Sequence, residues 1–288
     1  MLRCTYIVLI HNDEDNILDL VNSLKKVDGN FRKEYIFVDD GSTDESLSIL
    51  KMAVNDMPRT TIITQSNQGP AVSVNKASNL ATGDYIHFVE GCEVLHPEST
   101  SVLLESCLNF GTQVALGKVV SHAFTKEKIE ETGQLIEKPI ENILLLKSPD
   151  ICRIGKSGTL VSRDLLEKVG KADNSVYSHN MSLSLRCAKN SKFSYIPADI
   201  SYITKAKPPE DKQFVAYNNL KSIYNFAKAN EEFFSKLVPQ LLKSLSYQMI
   251  SKTDQVNYSF RSFTSKYLKT SNLRNVLAAY KKEIDRLF

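Results

Sequence analysis

The chain has 288 residues, 42% of them apolar, with a net charge of +3 and five cysteines (Cys4, Cys92, Cys107, Cys152, Cys187) that include no C-x-x-C pair. A chain of this length buries a core without disulfide or metal staples, and neither a disulfide framework nor a structural zinc site is signalled. The near-balanced charge argues against nucleic acid as a partner, and the apolar run from Cys4 to Ile10 is too short for a membrane span and lacks a signal-peptide cleavage site, so a mature chain starting at Met1 in the cytoplasm is expected.

Tyr6 to Ile10 reads as a buried strand, followed by Ile17, Leu20, Val21 and Leu24 at helical spacing. Tyr35 to Val38 is a second strand; Ser42-Thr43-Asp44-Glu45 has the form of a capping box opening a helix that carries Leu47, Leu50 and Val54. Thr61 to Ile63 and Tyr85 to Val89 repeat the strand pattern, with a helix over Pro70 to Leu80 between them. A helix with Val102, Leu103 and Leu104 leads to a strand over Val114 to Val120. Ser121 to Gly155 is charged and poorly periodic, predicting loops with a short helix near Ile143 to Leu146. Beyond it come a strand at Thr159 to Val161, helices at Asp164 to Val169 and Met181 to Ala188, and extended chain from Phe193 to Ile203. This alternation predicts an α/β fold, a mostly parallel sheet covered by helices.

Charge and composition shift near Lys205-Ala206-Lys207-Pro208-Pro209. The last 83 residues hold 14 Lys and Arg against 7 Asp and Glu, and 13 of the 25 Phe and Tyr. We expect two regions, a domain over 1–205 and a basic, aromatic-rich helical region over 206–288. Phe234, Leu237, Val238, Leu241, Leu242, Leu245 and Met249 form an apolar stripe, broken by Pro239, that suits packing on the sheet domain, a protein partner or a membrane surface.

Val38-Asp39-Asp40-Gly41-Ser42-Thr43-Asp44 sits at the end of a predicted parallel strand, where open α/β sheets bind ligands. A carboxylate there can accept the N3–H of uracil or a ribose hydroxyl, although an acidic residue before a Gly-Ser turn is more commonly a helix cap. Ile7 to Asn12, Val38 to Asp44, Asn67-Gln68-Gly69, Asn75-Lys76-Ala77 and Ala81 to Ile86 follow one another in an order that resembles glycosyltransferase family 2 over about residues 4–205. The resemblance implies a GT-A fold, Rossmann-like, and inverting transfer of a sugar from a nucleotide donor, usually of the UDP type. It also implies that Leu9, His11 and Asp40 surround the base, with Leu9 contributing backbone, His11 replacing a stacking tyrosine and Asp40 accepting a hydrogen bond. Asp39, Asn67 and Gly69 complete the implied nucleotide-binding set.

Three positions depart from that pattern. Where the family carries Asp-x-Asp to hold a divalent cation, the chain reads Glu90-Gly91-Cys92-Glu93; Glu90 and Glu93 are candidate ligands for Mg²⁺ or Mn²⁺, with weak or absent dependence expected because a thiol suits hard cations poorly. Where the family supplies a catalytic base from an acidic pair, His179-Asn180 precedes Met181-Ser182-Leu183-Ser184-Leu185-Arg186, leaving His179 as the candidate base and Asn180 at the usual base position. Val74 stands where many relatives carry arginine. The resemblance therefore implies a transferase acting on a nucleotide sugar and a glycan or lipid-linked acceptor in cell-surface polysaccharide assembly, peripheral to the inner membrane face through its basic tail. The alternatives are a catalytically inactive relative that binds nucleotide sugar, glycan or a partner protein, and a metal-independent transferase using His179.

Overall fold

A computed structural model describes residues 1–144, 154–177, 179–204 and 212–230. The β-branched and aromatic run at the N-terminus forms β1 (Arg3–Ile10), whose alternation sends Tyr6, Val8 and Ile10 to one face and Ile7 to the other. Around it lie β2 (Arg32–Asp40), β3 (Thr60–Gln65) and β4 (Tyr85–Glu90), all parallel, in the spatial order β3-β2-β1-β4. The rest of the sheet is mixed. β5 (Glu93–Leu95), β6 (Val114–Val120), β7 (Gln134–Ile136), β8 (Thr159–Ser162) and β9 (Phe193–Ile203) continue the order as β4-β8-β6-β9-β5, with β7 also paired to β9. β4–β8 and β8–β6 are antiparallel, whereas β6–β9 is parallel with register shifts around Lys118. The three-residue strands β5 and β7 escape sequence periodicity because pairing to the long β9, rather than their own pattern, makes them strands.

Helices cover both faces. α1 (Ile17–Lys26), α2 (Ser46–Ala53) and α4 (Ser99–Phe110) bury Leu20, Leu24, Leu50 and Leu103 against the Tyr6 face. α3 (Pro70–Leu80), α5 (Pro139–Leu144), α6 (Arg163–Lys168) and α7 (Asn180–Asn190) bury Val74, Ile143, Leu165 and Leu183 against the Ile7 face. The fold is thus the helix-flanked α/β sheet that alternation predicts. α8 (Lys212–Ala229) adds Ile223 and Phe226 to that second core, burial worth roughly 1.5–3 kcal/mol per side chain. The expected boundary at 205–209 and the stripe from Phe234 to Met249 lie outside the described residues.

One local expectation is corrected. The Ser42 capping box does not form: the helix begins at Ser46, while Ser42 Oγ accepts the Asn12 N–H at 3.0 Å and ties the loop after β2 to the loop after β1. The short helix expected near Ile143 to Leu146 is present at Pro139–Leu144, where proline suits the first helical turn, and residues 145–146 lie outside the described residues.

Candidate functional site

The chain leaves β1 toward β2 on one side, and β4 returns on the other, so the carboxyl ends of β1 and β4 flank the crevice where the strand order reverses. In register, Leu9 stands beside Val38 on one neighbour and Glu90 on the other. The expected nucleotide-binding residues on β1 to β3 therefore share one sheet edge with Glu90.

Asp40 organises this edge. Its carboxylate accepts Gln68 N–H (2.8 Å), Gly69 N–H (2.9 Å) and Gln65 Nε2 (2.7 Å), holding the loop after β3 across the end of β2. Asp39, on the opposite face of the strand, accepts Ser42 N–H at 3.3 Å. His11 is half-buried; its Nδ1–H donates to the Asp40 carbonyl at 3.0 Å, which sets the tautomer and turns Nε2 toward Asn67 Nδ2 at 3.4 Å. Leu9, level with Val38 on β2, packs against the Ile7-face core, and Asn67 is exposed. Gly69 has φ +86°, and a Cβ there would lie 2.8 Å from the Tyr177 ring, so glycine is needed both for the turn and for that approach. The structure thus brings Leu9, His11, Asp40, Asn67 and Gly69 together.

The turn after β4 is different. Glu93 is fully buried; its Oε2 accepts Glu90 N–H at 3.1 Å, and burial pushes its carboxyl up to about 7, against the pull of Ser201 and Ser157. Cys92 is also buried, its carbonyl accepting Thr204 N–H at 2.9 Å. Among the described residues no group of three or more His, Cys, Asp or Glu side chains could hold a metal ion. An enclosed carboxyl biased toward its neutral form and a buried thiol do not fit a divalent cation, which leaves Glu90, about a third exposed, facing the crevice.

His179 stands just before α7, as its motif places it, but is not accessible. It is wholly buried at the start of α7, its Nε2–H donates to the Gly155 carbonyl at 2.8 Å, and Nδ1 has no hydrogen-bond partner among the described residues. Burial lowers its pKa to about 4. An imidazole in that setting supports the core instead of meeting an acceptor, which corrects the reading of His179 as a base. Asn180 begins α7 and is partly exposed, with no acidic group in its place. Val74 is core, and Arg186 is spent on the carbonyls of Lys171 (2.5 Å), Ser182 (3.2 Å) and Val169.

Sequence reasoning misses Tyr177, Lys156 and Ser157. Tyr177 lies over Gly69 from across the crevice, its N–H donating to Asn218 Oδ1 on α8 at 2.8 Å. Lys156 Nζ is 4.0 Å from Glu90 Oε1, and Ser157 Oγ is 3.4 Å from Glu90 Oε2. Both follow a stretch without periodicity, where the Gly-x-x-Gly punctuation from Gly155 to Gly158 was the one available signal.

Comparison with known proteins shows the family and the fold. The profile described as Glycosyl transferase family 2 matches residues 5–170. The chain is 33% identical over 125 residues to the uncharacterized glycosyltransferase YibD of Escherichia coli K12, covering 43% of this chain and 36% of that protein. It is 29% identical over 156 residues to an Escherichia coli chondroitin synthase (53% and 22% covered), and 25% identical over 233 residues to the poly(ribitol-phosphate) beta-glucosyltransferase of Bacillus spizizenii (77% and 35% covered). The matches thus span little more than a third of these curated relatives at most. Among solved structures, Staphylococcus aureus TarS 1–349 superposes with a TM-score of 0.60 at 19% identity, covering 98% of this chain and 91% of that one; the same protein in complex with UDP gives 0.59 at 20% identity over the same shares. These likenesses show the fold.

Proposed function

The chain belongs to glycosyl transferase family 2, and from that premise we propose that it binds a UDP-type nucleotide sugar at the β1–β4 edge and takes part in transferring the sugar to a glycan or lipid-linked acceptor of a cell-surface polysaccharide. The convergence of Leu9, His11, Asp40, Asn67 and Gly69 on one sheet edge carries this reading. Support comes from relatives whose names describe transfer to poly(ribitol phosphate), and from TarS complexes with UDP and UDP-GlcNAc.

In this reading the His11 ring and the Leu9 backbone border the base. Asp40 holds the Gln68–Gly69 turn and keeps one acceptor site, on Oδ2, for the base, and Tyr177 walls the crevice opposite Gly69. Transfer breaks the bond from the anomeric carbon to the diphosphate oxygen and forms one to an acceptor oxygen, whose proton must leave. We further propose residues 1–205 as the transferase domain and 206–288 as a basic helical region serving the acceptor side, a partner or the membrane surface. Among the described residues no helix is long and apolar enough to cross a membrane.

A second reading, a binding module without turnover, draws on the burial of His179 and the absence of a carboxylate at Asn180. Calorimetry with uridine, UDP and UDP-sugars tests the shared donor site, and UDP release with a panel of glycan and lipid-linked acceptors separates the two readings. Absence of any binding would refute both; binding without release favours the module.

A further inference from the structure

Resting on the donor-site reading above, we propose that Lys156 is the cation that receives the donor diphosphate, in the place that a divalent metal would otherwise take. Glu90 stands level with Leu9 at the strand end beside the proposed nucleotide, and the Lys156 ammonium lies 4.0 Å from it. A diphosphate entering between them meets one carboxylate, which repels it, and one ammonium, which attracts it. The Glu90–Lys156 pair is only partly enclosed, each side chain about a third exposed, so exchanging Glu90 for phosphate oxygens costs little.

The loop that presents Lys156 is held at every residue. Ile154 N–H donates to Ser184 Oγ (3.1 Å), the Gly155 carbonyl accepts from His179 Nε2 (2.8 Å), the Lys156 carbonyl accepts from Thr159 Oγ1 (2.7 Å), Ser157 Oγ faces Glu90 Oε2 (3.4 Å), and the Gly158 carbonyl accepts Gly117 N–H (3.0 Å). Gly155 adopts φ +90°, and a Cβ there would fall 2.4 Å from His179 Nε2, so the imidazole packs directly under the loop. A mobile surface lysine would lose side-chain entropy on binding a phosphate; one raised on a rigid backbone beside the strand end has part of that ordering built in. His179, unsuited to proton transfer by burial, here supports the loop that carries the charge.

Calorimetry in EDTA with UDP and uridine tests this, because uridine has the base and ribose but no diphosphate. Lys156→Met is expected to weaken UDP by about tenfold or more while uridine changes by less than about twofold. In EDTA, Glu90→Gln is expected to tighten UDP by roughly threefold, since it removes the competing carboxylate, and the same tightening is expected with Mn²⁺ in place of EDTA, where a metal-ligand role would weaken UDP instead. UDP affinity unchanged in Lys156→Met, or lowered about tenfold by EDTA in the wild type, or lowered by Glu90→Gln, each overturns the assignment while leaving the donor site standing. A wild-type chain that binds neither uridine nor UDP overturns the donor-site reading itself.

Discussion

Asp40 and Glu93 are both carboxylic residues at strand ends of the same crevice, and both are more than nine-tenths buried. Around Asp40, two backbone N–H groups and a glutamine amide converge on the two oxygens. Around Glu93, burial outweighs the surrounding hydrogen bonds and pushes the carboxyl up to about 7. Burying a carboxylate is inexpensive where donors meet both oxygens and costly where they do not. On the β1–β3 side, polar side chains tie the loops together around Asp40; on the β4–α7 side, Cys92, Glu93 and His179 lie in the interior while Glu90 and Asn180 stay partly exposed. Lys156, partly exposed beside Glu90, comes from a loop that family motifs do not mark.

The strongest way to break this contrast is to remove its better-satisfied half. Asp40→Ala leaves three donors without their acceptor and is expected to cost about 3–5 kcal/mol of stability and to weaken UDP by more than about a hundredfold, measured by urea unfolding and calorimetry. Retained UDP affinity in a folded variant would mean that the Asp40 turn does not shape the donor site.

Glu93 is the complementary test. Its folded pKa lies above the ordinary carboxylate value, so the native state binds the extra proton, and stability is full below about pH 4.5 and is lost as pH rises through about 7. The expected loss between pH 5 and pH 8 is roughly 2–3 kcal/mol; Glu93→Gln should abolish it and leave UDP affinity within about twofold. On the acid side the signs reverse. Burial depresses His87 to about 3 and His179 to about 4, so their contribution is intact above the ordinary histidine value and falls as pH drops toward those values.

Gly69→Ala probes the contact between the two sides, since it forces a side chain at φ +86° against the Tyr177 ring. A cost of roughly 1–2 kcal/mol is expected, with most of it recovered in Gly69→Ala/Tyr177→Ala if the ring is the obstacle, and none if backbone strain dominates. Asn180→Asp sharpens the comparison with the smallest structural disturbance, because Asn180 is partly exposed at the first turn of α7. If the site lacks only its base, UDP release in the presence of acceptor should rise by about tenfold or more; no rise in a variant that still binds UDP would favour the binding module.

Much of the proposed donor half is legible in the sequence. Leu9, His11, Asp40, Asn67 and Gly69 lie in short segments at strand ends, and local sequence carries their geometry: a strand, a turn needing glycine, a helix start. Where local reading failed, distant partners had won. Ser42 looks like a helix cap until the Asn12 N–H reaches it from the neighbouring strand loop. His179 looks like a candidate base until Gly155, 24 residues earlier, is seen against its ring.

Taken by itself, the order of apolar strands and amphipathic helices determined the α/β class, because periodicity depends on neighbours a few residues apart, while short motifs at strand ends carried the family resemblance and, through it, the proposed nucleotide edge. Which carboxylate is enclosed, which imidazole is interior and which lysine stands beside Glu90 was decided by tertiary structure. Burial and charge pairing depend on residues as distant in sequence as Glu90 and Lys156, and no local pattern encodes the distance between them.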